Sequence, residues 1–422
     1  MVAGCASTDT RPTTPVYSGN DRPDPSRPER PDEPTPREEP EKTPETVEEP
    51  EIVLGEGSTP RHLMSRTIEA PAELSHVAVL LPLTSSNPAA RREAESILAG
   101  IELAMFDAEI DNVVLMPLDT KGLPEEARKV AIEALRDGAD AIIGPLFSHN
   151  IPAVTEVTEQ FNIPVLSFTN DLNAAGQGAY MMSIPLEEEI ARIVDWAALE
   201  GVTQFAMFGP NNAYGRRVEN ALRFEVQRRG ASILRVEMYD PSIETPTYQA
   251  EALAKAVNIA NEFTPGEVAV LIPEHGVRLR AVAPLLPYYD VDINTVKLLG
   301  TGLWNTSDVW REPTLKGGAF ATPDPNSVNA FKNSFAATFK ANASDMSALG
   351  YDAALMTLVM LSQDALNKAS LERRDGFIGT NGLFRFREDG SIERGLAVVQ
   401  VTGNGGVNVV DPAKSQFAPD AF

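Results

Sequence analysis

Beyond about Leu74 the chain alternates short apolar runs with segments of helical periodicity, and no other feature constrains the fold as much. His76-Val77-Ala78-Val79-Leu80-Leu81 is a nearly continuous apolar run, as expected of a strand covered on both faces of a parallel sheet. The following segment, Arg91 to Ala108, puts Ala94, Ile97, Leu98, Ile101 and Ala104 on one helix face. The pattern then predicts strand Val113 to Leu118, helix Pro124 to Arg136, strand Ala139 to Ile143, helix Ile151 to Gln160 and strand Pro164 to Phe168. Pro124 suits a first helical turn and Gly138 a helix exit. Such a series reads as a doubly wound parallel α/β lobe.

After Ile184-Pro185 a second series begins. Its expected strands are Phe205 to Phe208, Ile233 to Met238, Val268 to Ile272 and Val296 to Leu299. Helices at about Glu187 to Leu199, Tyr214 to Arg229, Tyr248 to Asn261 and Val277 to Leu286 separate them. The remaining segment offers two helices, about Ser327 to Ala341 and Ser347 to Lys368. A hairpin-like stretch follows around Glu388-Asp389-Gly390. The expected fold is therefore α/β, with two parallel-sheet lobes and a cleft between them, each lobe completed by C-terminal segments. Residues 74–187 plus about 318–392 form the first lobe in this reading, and 188–317 plus about 393–412 the second, with 413–422 as a tail. Ligands of open α/β sheets sit beyond the carboxyl ends of the strands, so cleft residues are expected just after each strand.

Composition bounds the partners. The sequence has 422 residues and a formal charge of −24, which excludes a basic face for nucleic acid. Much of the acidity lies in the first sixty or so residues. From Ala6 to about residue 73 the chain is rich in Pro, Glu and Asp, with runs such as Glu38-Glu39-Pro40-Glu41. Few apolar residues offset the entropy of ordering there, so a disordered, semi-stiff tether is expected. At ~3.1 Å per residue its reach is on the order of 200 Å at most. The one cysteine, Cys5, allows no intrachain disulfide. Val2-Ala3-Gly4-Cys5 reads as the cleavage box of a bacterial lipoprotein, with the thiol carrying the lipid. The residues before it are too short for a full export signal, so the true start is expected upstream. Ala6, which is not an aspartate, favours sorting to the outer membrane. No apolar stretch approaches the ~20 residues that span a bilayer. Membrane contact is thus expected only through the lipid anchor.

Several motifs resemble the leucine/isoleucine/valine-binding branch of the type I periplasmic-binding-protein family. They are Leu80-Leu81-Pro82-Leu83, Gly100-Ile101-Glu102-Leu103-Ala104, Asp140-Ala141-Ile142-Ile143-Gly144-Pro145, Gly350-Tyr351-Asp352-Ala353-Ala354, and Gly382-Leu383-Phe384-Arg385-Phe386 with Asp389-Gly390. The resemblance runs from about Val77 to Val401. A lipid anchor and a long linker on such a domain are similar to the penicillin-binding protein activators, lipoproteins that reach peptidoglycan synthases. That resemblance implies a non-enzymatic periplasmic module, with no cofactor and a peptidoglycan synthase as partner. The alternative is a solute-binding receptor that hands a small amino-acid-like ligand to an ABC permease.

Four residues are candidate ligand contacts. Ser148 precedes a helix start, where a hydroxyl and free N–H groups suit a carboxylate, or it is an ordinary capping serine. Thr169, after the next strand, matches a family position that holds ligand, or it is a strand-end turn residue. Tyr214, in Asn212-Ala213-Tyr214-Gly215, matches a family tyrosine that closes over the ligand, or it packs at a helix start. Glu274, after Val268 to Ile272, is placed to receive an ammonium group, or it is a solvated loop acid. One departure stands out. The family's amine-binding acid would follow Leu299, and Gly300-Thr301-Gly302-Leu303-Trp304 holds none. No metal-ligand spacing joins His62, His76, His149 and His275, and no Gly-x-Ser-x-Gly elbow or phosphate loop occurs, so catalysis is not expected.

Overall fold

A computed structural model describes residues 74–417. Cys5 and the Pro/Glu-rich tether lie outside the described residues, as does the end of the tail. The first lobe runs β1 (Ser75–Leu81), α1 (Pro88–Ala108), β2 (Val113–Asp119), α2 (Pro124–Arg136), β3 (Ala139–Ile143), α3 (Ile151–Thr158), β4 (Val165–Ser167) and β5 (Ala179–Met181). Its strands form one parallel sheet in the order β2-β1-β3-β4-β5. The apolar runs are strands because both sheet faces are covered: Val77 to Leu81 are wholly buried. Their alternate side chains divide between two cores, with Val77, Val79 and Leu81 in one and Ala78 and Leu80 in the other.

The second lobe opens with α4 (Leu186–Leu199). There follow β6 (Gln204–Pro210), α5 (Ala213–Arg228), β7 (Ser232–Tyr239), α6 (Thr247–Phe263), β8 (Val268–Leu271), α7 (Gly276–Val282), α8 (Leu285–Tyr288), β9 (Lys297–Gly300) and β10 (Ala319–Thr322). The chain then returns to the first lobe through α9 (Pro325–Phe339), α10 (Asp345–Ser362), α11 (Lys368–Leu371), β11 (Phe377–Gly379), β12 (Gly382–Phe386) and β13 (Ile392–Arg394). It ends in the second lobe with β14 (Ala397–Val401) and β15 (Val407–Asp411), and the seven-stranded sheet reads β15-β14-β10-β9-β8-β6-β7. The last two strands run antiparallel. Strands β11, β12 and β13 make a separate small sheet.

The lobe limits shift slightly from those expected. The first return to lobe one comes after Thr322 rather than at about 318, because Ala319–Thr322 pairs with β9 and β14. Leu186 already belongs to the second lobe's core, two residues before the expected boundary. Ile392–Arg394 pairs with β12, so the last crossing falls at Gly395-Leu396. Pro284 splits the single helix expected over Val277 to Leu286 into α7 and α8.

The motifs shared with the family serve packing. Gly100 of α1 and Gly350 of α10 let two helix backbones touch. A Cβ on Gly100 would sit 2.0 Å from the Ser347 carbonyl oxygen, and one on Gly350 2.7 Å from that of Ile97. Asp352 is buried and accepts hydrogen bonds from the backbone N–H groups of Thr380 and Asn381 and from both their side chains. It thereby fixes the β11–β12 turn to α10. No helix among the described residues is long and apolar enough to cross a membrane.

Candidate functional site

In both sheets the strand order reverses, between β1 and β3 in the first lobe and between β6 and β8 in the second. Crevices at such switch points are where open α/β sheets take ligands. The carboxyl ends of the two sheets meet: Arg217 of α5 donates from Nη2 to the Asn170 carbonyl, just past β4, at 2.7 Å. A second link joins Arg387, after β12, to Glu188 of α4 at 3.0 Å. Three chain crossings, at 182–185, 323–324 and 395–396, connect the lobes. Arg394 braces them: it is buried, and its Nε donates to the Ser183 carbonyl at 2.8 Å. Burial holds its guanidinium down to about 10.

The wall contributed by the first lobe holds Ser148 and Thr169. Gly144, at φ +111°, ends β3, and a Cβ there would lie 2.2 Å from the Leu80 carbonyl oxygen. Only glycine lets the following loop turn this close to β1. Ser148 then opens a short 3-10 turn before α3; it is half-buried, and its hydroxyl takes no hydrogen bond from the described residues. Asn150, behind it, is 1% exposed, and neither its Oδ1 nor its Nδ2 has a partner among the described residues. Thr169 is buried and serves its own turn: Oγ1 accepts the Asp171 N–H at 3.1 Å. His149 is occupied elsewhere, with Nε2 3.1 Å from the Gly122 carbonyl and its ring stacked on Phe147.

The second lobe's wall is wired differently. Tyr214 Oη lies 2.8 Å from Thr301 Oγ1, so the start of α5 is tied to the end of β9. Burial pushes the Tyr214 phenol up. Glu274 stands after β8 as expected, yet it is only 5% exposed. Its Oε1 accepts from Tyr239 Oη at 2.8 Å, and Arg278 Nε lies 3.9 Å away. The Arg278 guanidinium in turn covers the Tyr239 ring at 5.1 Å. The carboxylate expected to await an ammonium group is thus committed within its own lobe. The structure brings Tyr214 and Glu274 into one polar cluster; no hydrogen bond joins Ser148 or Thr169 to it.

Glu189 was not singled out by the sequence, where Glu187-Glu188-Glu189 reads as acids favoured by a helix start. Its Oε2 accepts the Gly302 N–H at 2.8 Å, next to the position that lacks the family's acid. Two cavities flank the crossings. One, of about 830 Å³, lies between the Asp171–Asn173 loop, α4 and α5. The other, of about 810 Å³, is lined by Glu189, Gly302, Trp310, α9 and β15. None of the four sequence-predicted residues lines either cavity.

A family model for periplasmic binding proteins matches residues 76–406. The chain belongs to the periplasmic binding protein family. Within it, the two-lobed α/β architecture is of the type I, leucine-binding-like form. This periplasmic binding protein is similar in fold to a putative branched-chain amino acid ABC transporter protein of Rhodospirillum rubrum. The TM-score is 0.69 at 17% identity, over 80% of this chain and 100% of that one. A branched-chain amino acid ABC transporter periplasmic ligand-binding protein of Burkholderia xenovorans LB400 gives 0.63 at 18% identity, over 80% and 94%. By sequence it is similar to penicillin-binding protein activator LpoA of Pasteurella multocida, 24% identical over 210 residues, 48% of this chain and 35% of the relative. The Vibrio cholerae protein of the same name is 26% identical over 170 residues, 39% and 27%. This chain therefore covers only about a third of the length of these curated relatives.

Proposed function

We propose that this protein is a non-enzymatic periplasmic module, anchored through Cys5 and its acidic tether, that regulates a penicillin-binding peptidoglycan synthase. One observation carries the reading: Tyr214 and Glu274 of the second lobe's cleft wall are paired within their own lobe. Tyr214 is held by Thr301, Glu274 by Tyr239, and Arg217 bridges the lobes to Asn170. A cleft wired in this way presents a preset surface rather than a set of waiting ligand contacts. The similarity to the two LpoA activators supports the same partner class.

A second reading, a solute receptor for an ABC permease, is favoured by the opposite wall. Ser148 and Asn150 keep polar atoms without partners among the described residues, beside a helix start that suits a carboxylate. The test measures glycan polymerisation by a cognate synthase with and without the full chain, alongside calorimetry against leucine, isoleucine and valine. The activator reading expects faster polymerisation and no heat from the amino acids. Micromolar amino-acid binding with an unchanged polymerisation rate overturns it in favour of the receptor.

A further inference from the structure

The three acids that open α4 are partnered unequally. Glu187 holds Arg217 through two bonds of 2.7 Å. Glu188 accepts from Arg387 at 3.0 Å. Glu189 forms no ion pair among the described residues. Its Oε2 takes the Gly302 N–H at 2.8 Å, and its Oε1 takes no hydrogen bond among the described residues. Yet Glu189 is the one of the three that lines the cavity of about 810 Å³ behind the crossings. Burial disfavours a carboxylate that has no ion-pair partner of its own, and Arg217 is already held by Glu187. Burial accordingly pushes the Glu189 carboxyl up to about 7.

The rest of the cavity narrows the chemistry of what could supply that charge. Ile184, Pro323, Val407 and Val409 give it an apolar wall. Asn305 gives its Nδ2 to Thr322 Oγ1 at 3.3 Å, which leaves Oδ1 free to accept. At the rim Lys332 and Asp345 already neutralise each other at 3.0 Å. A guanidinium fork is best matched by both oxygens of a carboxylate, and Oε2 here already accepts the Gly302 N–H. An ammonium is a point charge with three donors and needs only one oxygen of the acid plus neighbouring carbonyls.

We propose that this cavity binds the primary ammonium of an aliphatic chain, as carried by a free alkylamine or by a lysine side chain, with Glu189 as its counter-ion. The methylenes lie along the apolar wall and the amide oxygen of Asn305 takes a second ammonium proton. The inference stands whether or not a synthase is the partner, because it concerns a cavity lined by none of Ser148, Thr169, Tyr214 and Glu274.

The test is calorimetry of the full chain with pentylamine and with Nα-acetyl-lysine methylamide, and with the Nε-acetylated form of the latter as the neutral control. The charged groups around Glu189 are Glu187 on its own helix, Arg217 and the Tyr214 phenol from α5, and Lys332 and Asp345 from α9 and α10. With the Glu189 carboxyl at about 7, its ionised fraction rises about tenfold between pH 6 and pH 8. Amine affinity is expected to rise by about the same factor. Glu189→Gln should weaken binding at least about tenfold and flatten that pH dependence. Saturation by both amines supports the site for free amines, and saturation by the lysine derivative alone supports it for a lysine of a protein. No binding by either at millimolar concentration, or equal binding of the neutral control, overturns the proposal without reliance on any variant.

Discussion

The two walls of the cleft are built from the same strand-loop-helix unit and end in opposite states. In the second lobe, polar groups at the carboxyl ends of the strands pair within the lobe: Tyr214 of α5 with Thr301 after β9, and Glu274 after β8 with Tyr239 at the end of β7. In the first lobe, the loop after β3 leaves the whole Asn150 amide, and the Ser148 hydroxyl before it, without a partner among the described residues. An internally satisfied wall is rigid, because moving any member strands a buried polar group. A wall with free groups keeps capacity for something from outside. Fold alone therefore says little about binding, since both walls share it.

The sharpest way to break this contrast is Glu274→Ala. It strands the Tyr239 hydroxyl and removes the acid beside Arg278, and about 2–4 kcal/mol of stability should be lost in urea unfolding. A loss below about 0.5 kcal/mol would mean the wall is not internally held. Tyr214→Phe removes one neutral hydrogen bond and should cost about 1 kcal/mol, read by the same method. Arg387→Ala cuts a partly exposed link between lobes. It should cost no more than about 1 kcal/mol but widen the molecule in small-angle scattering. The smallest effect belongs to Ser148→Ala, within about 0.5 kcal/mol, because none of the described residues uses that hydroxyl. A larger loss there would show that the first wall is wired like the second.

The sequence carried the architecture well where apolar runs were long enough to be read. β1, β3, β6 and β8 lie where the periodicity puts them, within a residue or two. Ala179–Met181, Ala319–Thr322 and Val407–Asp411 were missed. They are short, and the first two are strands only because a neighbouring strand supplies their bonds. The site was half legible. Position after a strand placed Ser148, Thr169, Tyr214 and Glu274 just beyond the carboxyl ends of strands, since topology alone fixes it. The pairing of those residues was hidden, because Tyr239 lies 35 residues before Glu274 and Tyr214 87 residues before Thr301. Glu189 escaped notice for a related reason: three successive acids at a helix start look alike until Arg217 and Arg387 arrive from elsewhere to claim two of them.

The three chain crossings have a mechanical consequence. A single linker would let the halves twist, slide and tilt independently; three side by side leave one easy rotation, like a door on several pins. Whatever presses on one face of such a body is transmitted to the far face as the same angle, so anything engaging one face would be sensed at the other through that one coordinate.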